Sequence, residues 1–362
     1  MTDSSIRLNS APIEWADPAR ALLFAQWLGK TSAEHALVPA SVTLASADAS
    51  FRRYFRVQAQ DGSSRIIMDA PPEKENSEPF VRIAQLFAQA GLQVPQVLAW
   101  DEAKGFMLLN DLGAHTMMSA LDPSAPQAAL PLFQKAINSL VQLQLASQEQ
   151  QLPPYDEALL RRELQLFPDW YCGQHRGFVF NPKQQATLDR AFDAIVAENL
   201  KAPRVYVHRD FMPRNLMLPT DLADKSAPLG VLDFQDAVYG PITYDIASLM
   251  RDAFISWEED FVLDVTIRYW QAARAAGLPI TEDFGEFWRA VEWMGLQRHL
   301  KVAGIFARIT LRDGKPKYLA DTPRFIHYIR HTCNRYIELK PLLRLVDEIE
   351  GIKPDNTFVI GR

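Results

Sequence analysis

The chain has 362 residues and a formal net charge of −6, with 38 Lys and Arg against 44 Asp and Glu. This length suits two domains better than one simple core, and the acidic balance argues against a dedicated nucleic-acid-binding protein. No apolar run reaches the length of about 18 residues that a membrane span needs, and Met1–Arg7 lacks the apolar core of a signal peptide. Cys172 and Cys333 have no metal-ligand spacing, so we expect two free thiols in a cytoplasmic protein.

The first 110 residues predict a small β-rich domain. Asp17 followed by Pro18 marks the start of a helix that we expect to reach about Leu28, with Asp17 as its cap. A second helix over 79–90 has its apolar residues at three-to-four spacing, which buries a stripe against a sheet. Short strands are predicted at 41–44, 54–57, 65–68, 97–99 and 105–109.

The remaining two thirds predict a mostly helical domain over residues 111–362. The pattern as a whole predicts an α+β protein with a β-rich N-terminal domain at 1–110 and a larger helical domain after it. Helices are predicted near 126–147, 156–170, 184–199, 242–254, 258–275 and 284–309.

Two motifs in the helical part carry the chemistry. The first is H-R-D-x-x-x-x-N over His208–Asn215, in which one short loop holds the Asp210 carboxylate and the Asn215 carboxamide. The second places Asp233 after another apolar run, and two neighbouring strands would bring the two acidic residues to one edge. A base and two oxygen ligands for a metal ion supply most of what phosphoryl transfer needs. The alternative is a surface loop with a capping Asp, followed by an ordinary buried strand.

These motifs, together with G-P-I-T-Y-D-I-A at Gly240–Ala247, resemble the aminoglycoside phosphotransferase branch of the protein-kinase-like fold. The resemblance implies a two-lobed kinase that uses ATP and Mg²⁺, with Asp210 as the catalytic base. It also implies that Asn215 and Asp233 are metal ligands. His208 and Asp245 would support the catalytic loop, although Asp245 is also explained by the favourable charge of a carboxylate in a first helical turn.

The segment Asn110–Leu112 resembles the hinge between kinase lobes, so Asn110, Asp111 and Leu112 are predicted to lie along the adenine. An ordinary turn at the end of a strand is the alternative. The turn that would cover the phosphates contains no glycine, and Met68 stands where a phosphate-binding Lys is expected.

Other residues would then have to bind the phosphates. Ser50 offers a hydroxyl donor, and Arg52, Arg53 or Arg56 could replace the missing Lys, since a guanidinium matches phosphate oxygens in a bidentate manner. A plain hairpin turn with exposed arginines is the alternative for each of them.

The acceptor is predicted to be a small molecule, because too few residues separate Asp233 from Gly240-Pro241 and the helix after it to form a platform for a peptide. The predicted helix over 284–309 is strongly apolar yet carries Arg298, His299 and Lys301. Unpaired buried charge is costly, so such residues either face solvent or meet a ligand. We predict that these three residues bind the substrate.

A narrower resemblance is to the anomeric N-acetylmuramate and N-acetylglucosamine kinases of bacterial cell-wall recycling. It implies phosphorylation of the C1 hydroxyl of an amino sugar in the cytoplasm, no nucleic-acid or membrane partner, and a pathway nucleotidyltransferase that takes the sugar 1-phosphate. Three alternatives stay open: a kinase for another small alcohol or an aminoglycoside, a pseudokinase that binds nucleotide without transferring phosphate, and a protein kinase, which the short segment after Asp233 disfavours. The phrases that carry the resemblance are Ala49–Phe55, Met68–Glu73, Glu163–Trp170 and Met294–Lys301.

Overall fold

A computed structural model describes residues 13–47, 51–219, 224 and 226–353. Its α-helices are α1 Pro18–His35, α2 Glu78–Gln89, α3 Pro126–Leu145, α4 Glu157–Leu164, α5 Pro182–Asn199, α6 Thr243–Met250, α7 Glu259–Ala275, α8 Phe284–Asp313, α9 Thr322–Arg335 and α10 Lys340–Glu350. Its strands are β1 Leu37–Ala47, β2 Arg53–Ala59, β3 Ser64–Asp69, β4 Val97–Asp101, β5 Phe106–Asn110, β6 Arg204–Val207, β7 Leu216–Met217, β8 Gly230–Val231 and β9 Val238–Pro241. None of these helices is long and apolar enough to cross a bilayer.

The described residues form two compact units. The first combines those of Met1–His115 with those of Met217–Gln235, and the second combines Thr116–Leu216 with Asp236–Arg362. The first contains a five-stranded antiparallel sheet and the second is mostly helical, which confirms the predicted α+β class. The return of 217–235 to the first unit was not part of the predicted division at residue 110.

The sheet of the first unit has the order β1-β2-β3-β5-β4. Because successive side chains of a strand point to opposite faces, Phe55 and Ile67 lie on the face that packs against Phe24 of α1 and forms the core of this unit. The other face carries Tyr54 and Met68, which pair directly across β2 and β3. Met68 is thus fully buried in the sheet at the position where the sequence suggested a missing Lys.

Helix α1 begins as predicted and ends later than predicted. Asp17 is its cap and accepts a hydrogen bond from the N–H of Ala19 at 2.9 Å. The helix continues past Leu28 to His35 because Thr31 extends the buried stripe by one more turn.

The strands before the two acidic motifs do not pair with each other, so the prediction that they are neighbours is wrong. Strand β6 pairs with β9, and β7 pairs with β8. The two pairings are nested along the chain, and a nearby partner is favoured because closing a shorter loop costs less entropy.

Helix α8 contacts the most elements in the second unit, among them α6, α9 and the segment Phe167–His175. That segment is π-helical, so the single helix predicted over 156–170 is wrong beyond the end of α4. Pro168 lacks the N–H that a continuous α-helix would use there. A Cβ on Gly304 would lie 2.3 Å from the carbonyl oxygen of Leu166, so α8 can approach this segment only with glycine at that position. Helices α9 and α10 were not predicted.

Candidate active site

The predicted catalytic loop begins directly after β6, in the second unit. Its residue Arg209 has a φ of 77°, in the left-handed region that residues other than glycine rarely adopt. Such a conformation costs on the order of 1–3 kcal/mol and persists where surrounding contacts hold it. The backbone just before Asp210 is therefore under strain, and its hydrogen bonds show what maintains it.

Asp245, in the first turn of α6, is the main acceptor for this loop. Its two carboxylate oxygens accept hydrogen bonds from the main-chain N–H groups of His208 at 2.7 Å and Arg209 at 3.0 Å. The side chain is fully buried, and burial raises its pKa to about 7, although the two N–H donors and Arg298 act in the opposite direction. These are the contacts that the predicted supporting role requires.

Within the loop, His208 and Asn215 bracket the predicted base. The buried His208 ring accepts a hydrogen bond at Nδ1 from the N–H of Asp210 at 3.2 Å. The Nδ2 of Asn215 donates to the carbonyl of Asp210 at 2.9 Å. This bond sets the orientation of the carboxamide, and the role of its oxygen as a metal ligand stays a prediction.

The polar residues of α8 that the sequence singles out are buried rather than solvated, so the alternative of solvent exposure is wrong for Arg298, His299 and Lys301. Lys301 has its Nζ 2.8 Å from a Glu163 oxygen and donates to the hydroxyl of Tyr244 at 3.1 Å. Arg298 donates from Nη1 to the carbonyl of Arg209 at 2.9 Å. Both cations therefore have protein partners close to the catalytic loop.

His299 differs from its neighbours on α8. Its ring stacks on Tyr328 with centroids 4.6 Å apart, and its Nε2 lies 3.4 Å from the carbonyl of Arg251. Burial, assisted by the charge of Arg251, lowers the pKa of His299 well below its ordinary value. The residue is consequently neutral at physiological pH and offers no charge to an anionic substrate.

The residue that sequence reasoning missed is Glu163 of α4. Its carboxylate accepts from the guanidinium of Arg209, from Nζ of Lys301, from Nε2 of Gln297 at 3.1 Å and from the hydroxyl of Tyr155. Burial would raise its pKa, but Lys301 and Arg209 lower it to about 2. The available signal was an acidic residue within the buried stripe of α4, one position before Leu164.

These contacts make the surroundings of Asp210 rich in cations. Burial disfavours the charged forms of Arg209, Arg298 and Lys301. The pKa of each is nevertheless raised, by Tyr244 and by carboxylates that include Asp210. The half-buried Asp210 thus belongs to one electrostatic group with these three side chains.

In the first unit, Asp233 follows β8 and also has a left-handed backbone, with a φ of 63°. One of its carboxylate oxygens accepts from Nε2 of Gln235 at 2.8 Å. The next residue, Phe234, is buried against Phe80 and Phe87 of α2, with ring centroids 5.0 and 5.8 Å apart. Packing of Phe234 therefore anchors the backbone that carries Asp233.

The arginines predicted to replace the missing Lys have different surroundings. Arg53 forms two hydrogen bonds, at 3.1 and 2.6 Å, to the buried carboxylate of Asp69, and its guanidinium lies 3.9 Å from the ring centroid of Trp15. Arg56 forms a two-bond pair with Asp111 at 2.6 and 3.2 Å. Both guanidinium groups are thus held by carboxylates of their own unit.

Arg52 is the arginine that shares an electrostatic environment with Asp233. Its Nη2 lies 3.2 Å from a Glu75 oxygen, and it also forms a hydrogen bond with Tyr54. Burial opposes its charge, but Tyr54, Glu75 and Asp233 together raise the pKa of Arg52. Ser50, the other predicted phosphate donor, lies outside the described residues.

The predicted hinge is held by side chains at the end of β5. Asn110 accepts from the N–H of Gln96 at 2.6 Å, and Asp111 accepts from Ser64 at 2.6 Å as well as from Arg56. Leu112 is buried. The side chains of this segment hold its own unit together, and its contact with adenine through the backbone stays a prediction.

The donor types of Asn215 and Asp233 fit a magnesium ion. No group of three or more His, Cys, Asp or Glu within the described ranges could hold a metal by itself. Mg²⁺ commonly takes one or two protein oxygen ligands and completes its shell with substrate phosphates and water.

The prediction of free thiols is confirmed, because Cys172 and Cys333 are both unpaired and buried.

Comparison with known proteins gives the family. The model of the phosphotransferase enzyme family matches residues 41–280. An N-acetylmuramate/N-acetylglucosamine kinase of Neisseria meningitidis is 51% identical over 86% of this chain and 91% of that protein, and one of Pseudomonas putida is 50% identical over 87% and 90%. A solved structure of a Plasmodium vivax ethanolamine kinase shares the fold, with a TM-score of 0.61 at 11% identity over 88% of this chain and 89% of the other. The chain therefore belongs to the phosphotransferase enzyme family.

Proposed function

We propose that this chain is an ATP-dependent kinase that phosphorylates the C1 hydroxyl of N-acetylmuramate and N-acetylglucosamine during peptidoglycan recycling. The observation that carries the proposal is a sequence identity of 51% and 50%, over most of both chains, to kinases named for these two sugars. The enzyme would act in the cytoplasm, where ATP is available. Its sugar 1-phosphate product would be the substrate of a nucleotidyltransferase.

Asp210 is the catalytic base of this proposal. An anomeric hydroxyl is more acidic than an ordinary alcohol, so the carboxylate needs only to orient it and accept its proton late in the transfer. His208, Asn215 and Asp245 support this role, because their hydrogen bonds to the loop limit where Asp210 can point.

Asn215 and Asp233 would hold Mg²⁺, which when bound neutralises the charge that builds up on the phosphate oxygens. Asn110–Leu112 would lie along the adenine, and Ser50 would donate to a phosphate. We assign the role of the missing phosphate-binding Lys to Arg52, because it forms a hydrogen bond with Tyr54, the residue that pairs with Met68 across the sheet. Arg53 is instead held by Asp69, on the opposite face of the sheet from Met68.

The acceptor would meet Arg298. Within the described part of the chain, its Nε has no hydrogen-bond partner, whereas Lys301 is paired with Glu163 and His299 is neutral. A guanidinium nitrogen of this kind suits the lactyl carboxylate that distinguishes N-acetylmuramate from N-acetylglucosamine.

Phosphorus NMR of the reaction product tests reaction and position together. The protein is incubated with ATP, Mg²⁺ and N-acetylmuramate, and in parallel with N-acetylglucosamine, choline and an aminoglycoside. We expect a C1 phosphate from the two amino sugars and a loss of at least 10²-fold in kcat for a folded Asp210→Asn variant. ATP binding without consumption across the panel would identify a pseudokinase, and turnover of choline or the aminoglycoside alone would assign another acceptor.

A further inference from the structure

Glu163 has an unusual number of donors for a carboxylate in the second unit. Four side chains reach its two oxygens, and its exposed fraction is 5%. A buried ion is tolerated only where its partners replace the lost water, and a carboxylate has about four acceptor positions. Two of the donors, Lys301 and Gln297, are on α8, and a third is the guanidinium of Arg209 in the catalytic loop.

Hydrogen bonds hold the main-chain N–H, the main-chain carbonyl and the guanidinium of Arg209. Its N–H donates to Asp245, its carbonyl accepts from Arg298, and its guanidinium donates to Glu163 and, at 3.3 Å, to the carbonyl of Asp236. The peptide planes on both sides of a strained residue are thereby fixed, and the second of them leads directly into Asp210. A change in the position of the Arg209 side chain would be transmitted to the base through one residue of backbone.

Glu292 is another buried carboxylate of this unit with Tyr and Arg partners, and none of those partners lies in the catalytic loop. Glu292 accepts from Arg251, Arg335 and the hydroxyl of Tyr336. Its exposed fraction is 0%, so its burial is at least as complete as that of Glu163. Glu292 joins α8 to the C-terminal ends of α6 and α9, and it therefore provides a matched control for the general effect of losing a buried carboxylate.

We propose that Glu163 is a positioning residue, which fixes Asp210 for phosphoryl transfer by binding the guanidinium of Arg209. This role rests on the proposed kinase function and adds a residue of α4 to it. Glu163 touches neither substrate nor nucleotide in this mechanism. It acts through the strained backbone of Arg209, whose conformation it maintains together with Asp245 and Arg298.

The first test compares Glu163→Gln with Glu292→Gln, with kcat expressed per folded protein as measured by circular dichroism. A misplacement of about 1 Å costs about 10²-fold in rate, so we expect Glu163→Gln to lose about that factor in kcat. The KM values for ATP and for the sugar should stay within about threefold of the parent, because binding groups are unchanged. Glu292→Gln should lower the melting temperature with kcat within about threefold of the parent.

A double-mutant cycle shows whether the effect passes through Arg209. If it does, Glu163→Gln combined with Arg209→Gln loses no more activity than the more damaging single variant. Losses that multiply would overturn the proposal, as would a Glu163→Gln variant with the kcat of the parent. Equal losses of kcat in Glu163→Gln and in the control Glu292→Gln would also overturn it.

Glu163→Asp keeps the test decisive should the glutamine variant fail to fold. It retains the charge but withdraws the carboxylate by one methylene group, and we expect an intermediate loss in kcat with unchanged KM values. A folded Glu163→Asp variant with full kcat would contradict the positioning role. The proposed function fails separately, if the parent protein phosphorylates neither amino sugar.

Discussion

Asp69 in the first unit and Glu163 in the second are both buried carboxylates that bind two cations, yet they hold different kinds of structure. Asp69 on β3 binds Arg20 of α1 and Arg53 of β2, and so joins regular elements that pack on one face of the sheet. Glu163 binds Lys301 of α8 and Arg209, whose backbone is strained. The same kind of buried ion cluster therefore stabilises the packing of regular elements in the first unit and the conformation of a loop in the second.

This difference predicts whether loss of each carboxylate lowers the stability of the protein alone or also its kcat. Removing one partner of a buried ion pair leaves an uncompensated charge, so the free energy of unfolding should fall in both cases. A defect in kcat per folded protein is expected only for Glu163, because Asp69 contacts helix and strand residues and the carboxylate of Glu163 contacts the residue next to the base. A folded Asp69 variant with a defect in kcat, or a folded Glu163 variant with the kcat of the parent, would contradict this division.

The largest effect is expected for Asp69→Asn. It leaves the guanidinium groups of Arg20 and Arg53 without their anion, and the free energy of unfolding should fall by about 3–5 kcal/mol. Urea unfolding measures this change, and kcat per folded protein should stay near that of the parent. The control is Asp101→Asn, which removes a partly exposed pair with Lys104 and should cost less than about 1 kcal/mol. Equal losses in the two variants would contradict the buried character of the Asp69 cluster.

A smaller effect is the pH dependence that Glu163 gives to stability. Its pKa is lowered from 4.5 to about 2 in the folded protein, so its contribution is fully present above pH 4.5 and is lost as the pH falls toward 2. The shift corresponds to about 3 kcal/mol. The unfolding free energy of the parent minus that of Glu163→Gln should therefore shrink between pH 6 and pH 3 in urea titrations. A difference that is independent of pH would show that folding does not lower the pKa of Glu163.

Local sequence predicted the elements of both units better than their contacts. The cap at Asp17 and the apolar stripe of α2 depend on residues within a few positions of each other, and the sequence therefore contains them. The contact of Arg53 with Asp69 depends on strand register instead, and a shift by one residue would turn Arg53 to the other face. That is why an arginine near the phosphate turn could be predicted but its partner could not.

The candidate site shows the same division. The spacing of Asp210 and Asn215 follows from the motif, because one loop carries both residues. The left-handed backbone of Arg209 and its bond to Glu163 follow from packing among α4, α8 and the loop, which no short pattern encodes. Burial of Lys301 was likewise unpredictable, since its counter-ion lies far away along the chain.

The smallest predicted effect separates Arg52 from Arg53 in the first unit. If Arg52 binds the phosphates, Arg52→Gln should raise the KM for ATP about tenfold, which is about 1.4 kcal/mol of binding, besides lowering the melting temperature through the loss of its pair with Glu75. Arg53→Gln removes a partner of Asp69 and should lower the melting temperature while leaving the KM for ATP unchanged. Steady-state kinetics therefore separate the two variants, because only Arg52→Gln changes the KM for ATP under that assignment. The reverse pattern would make Arg53 the phosphate ligand and would require its bonds to Asp69 to break when nucleotide binds.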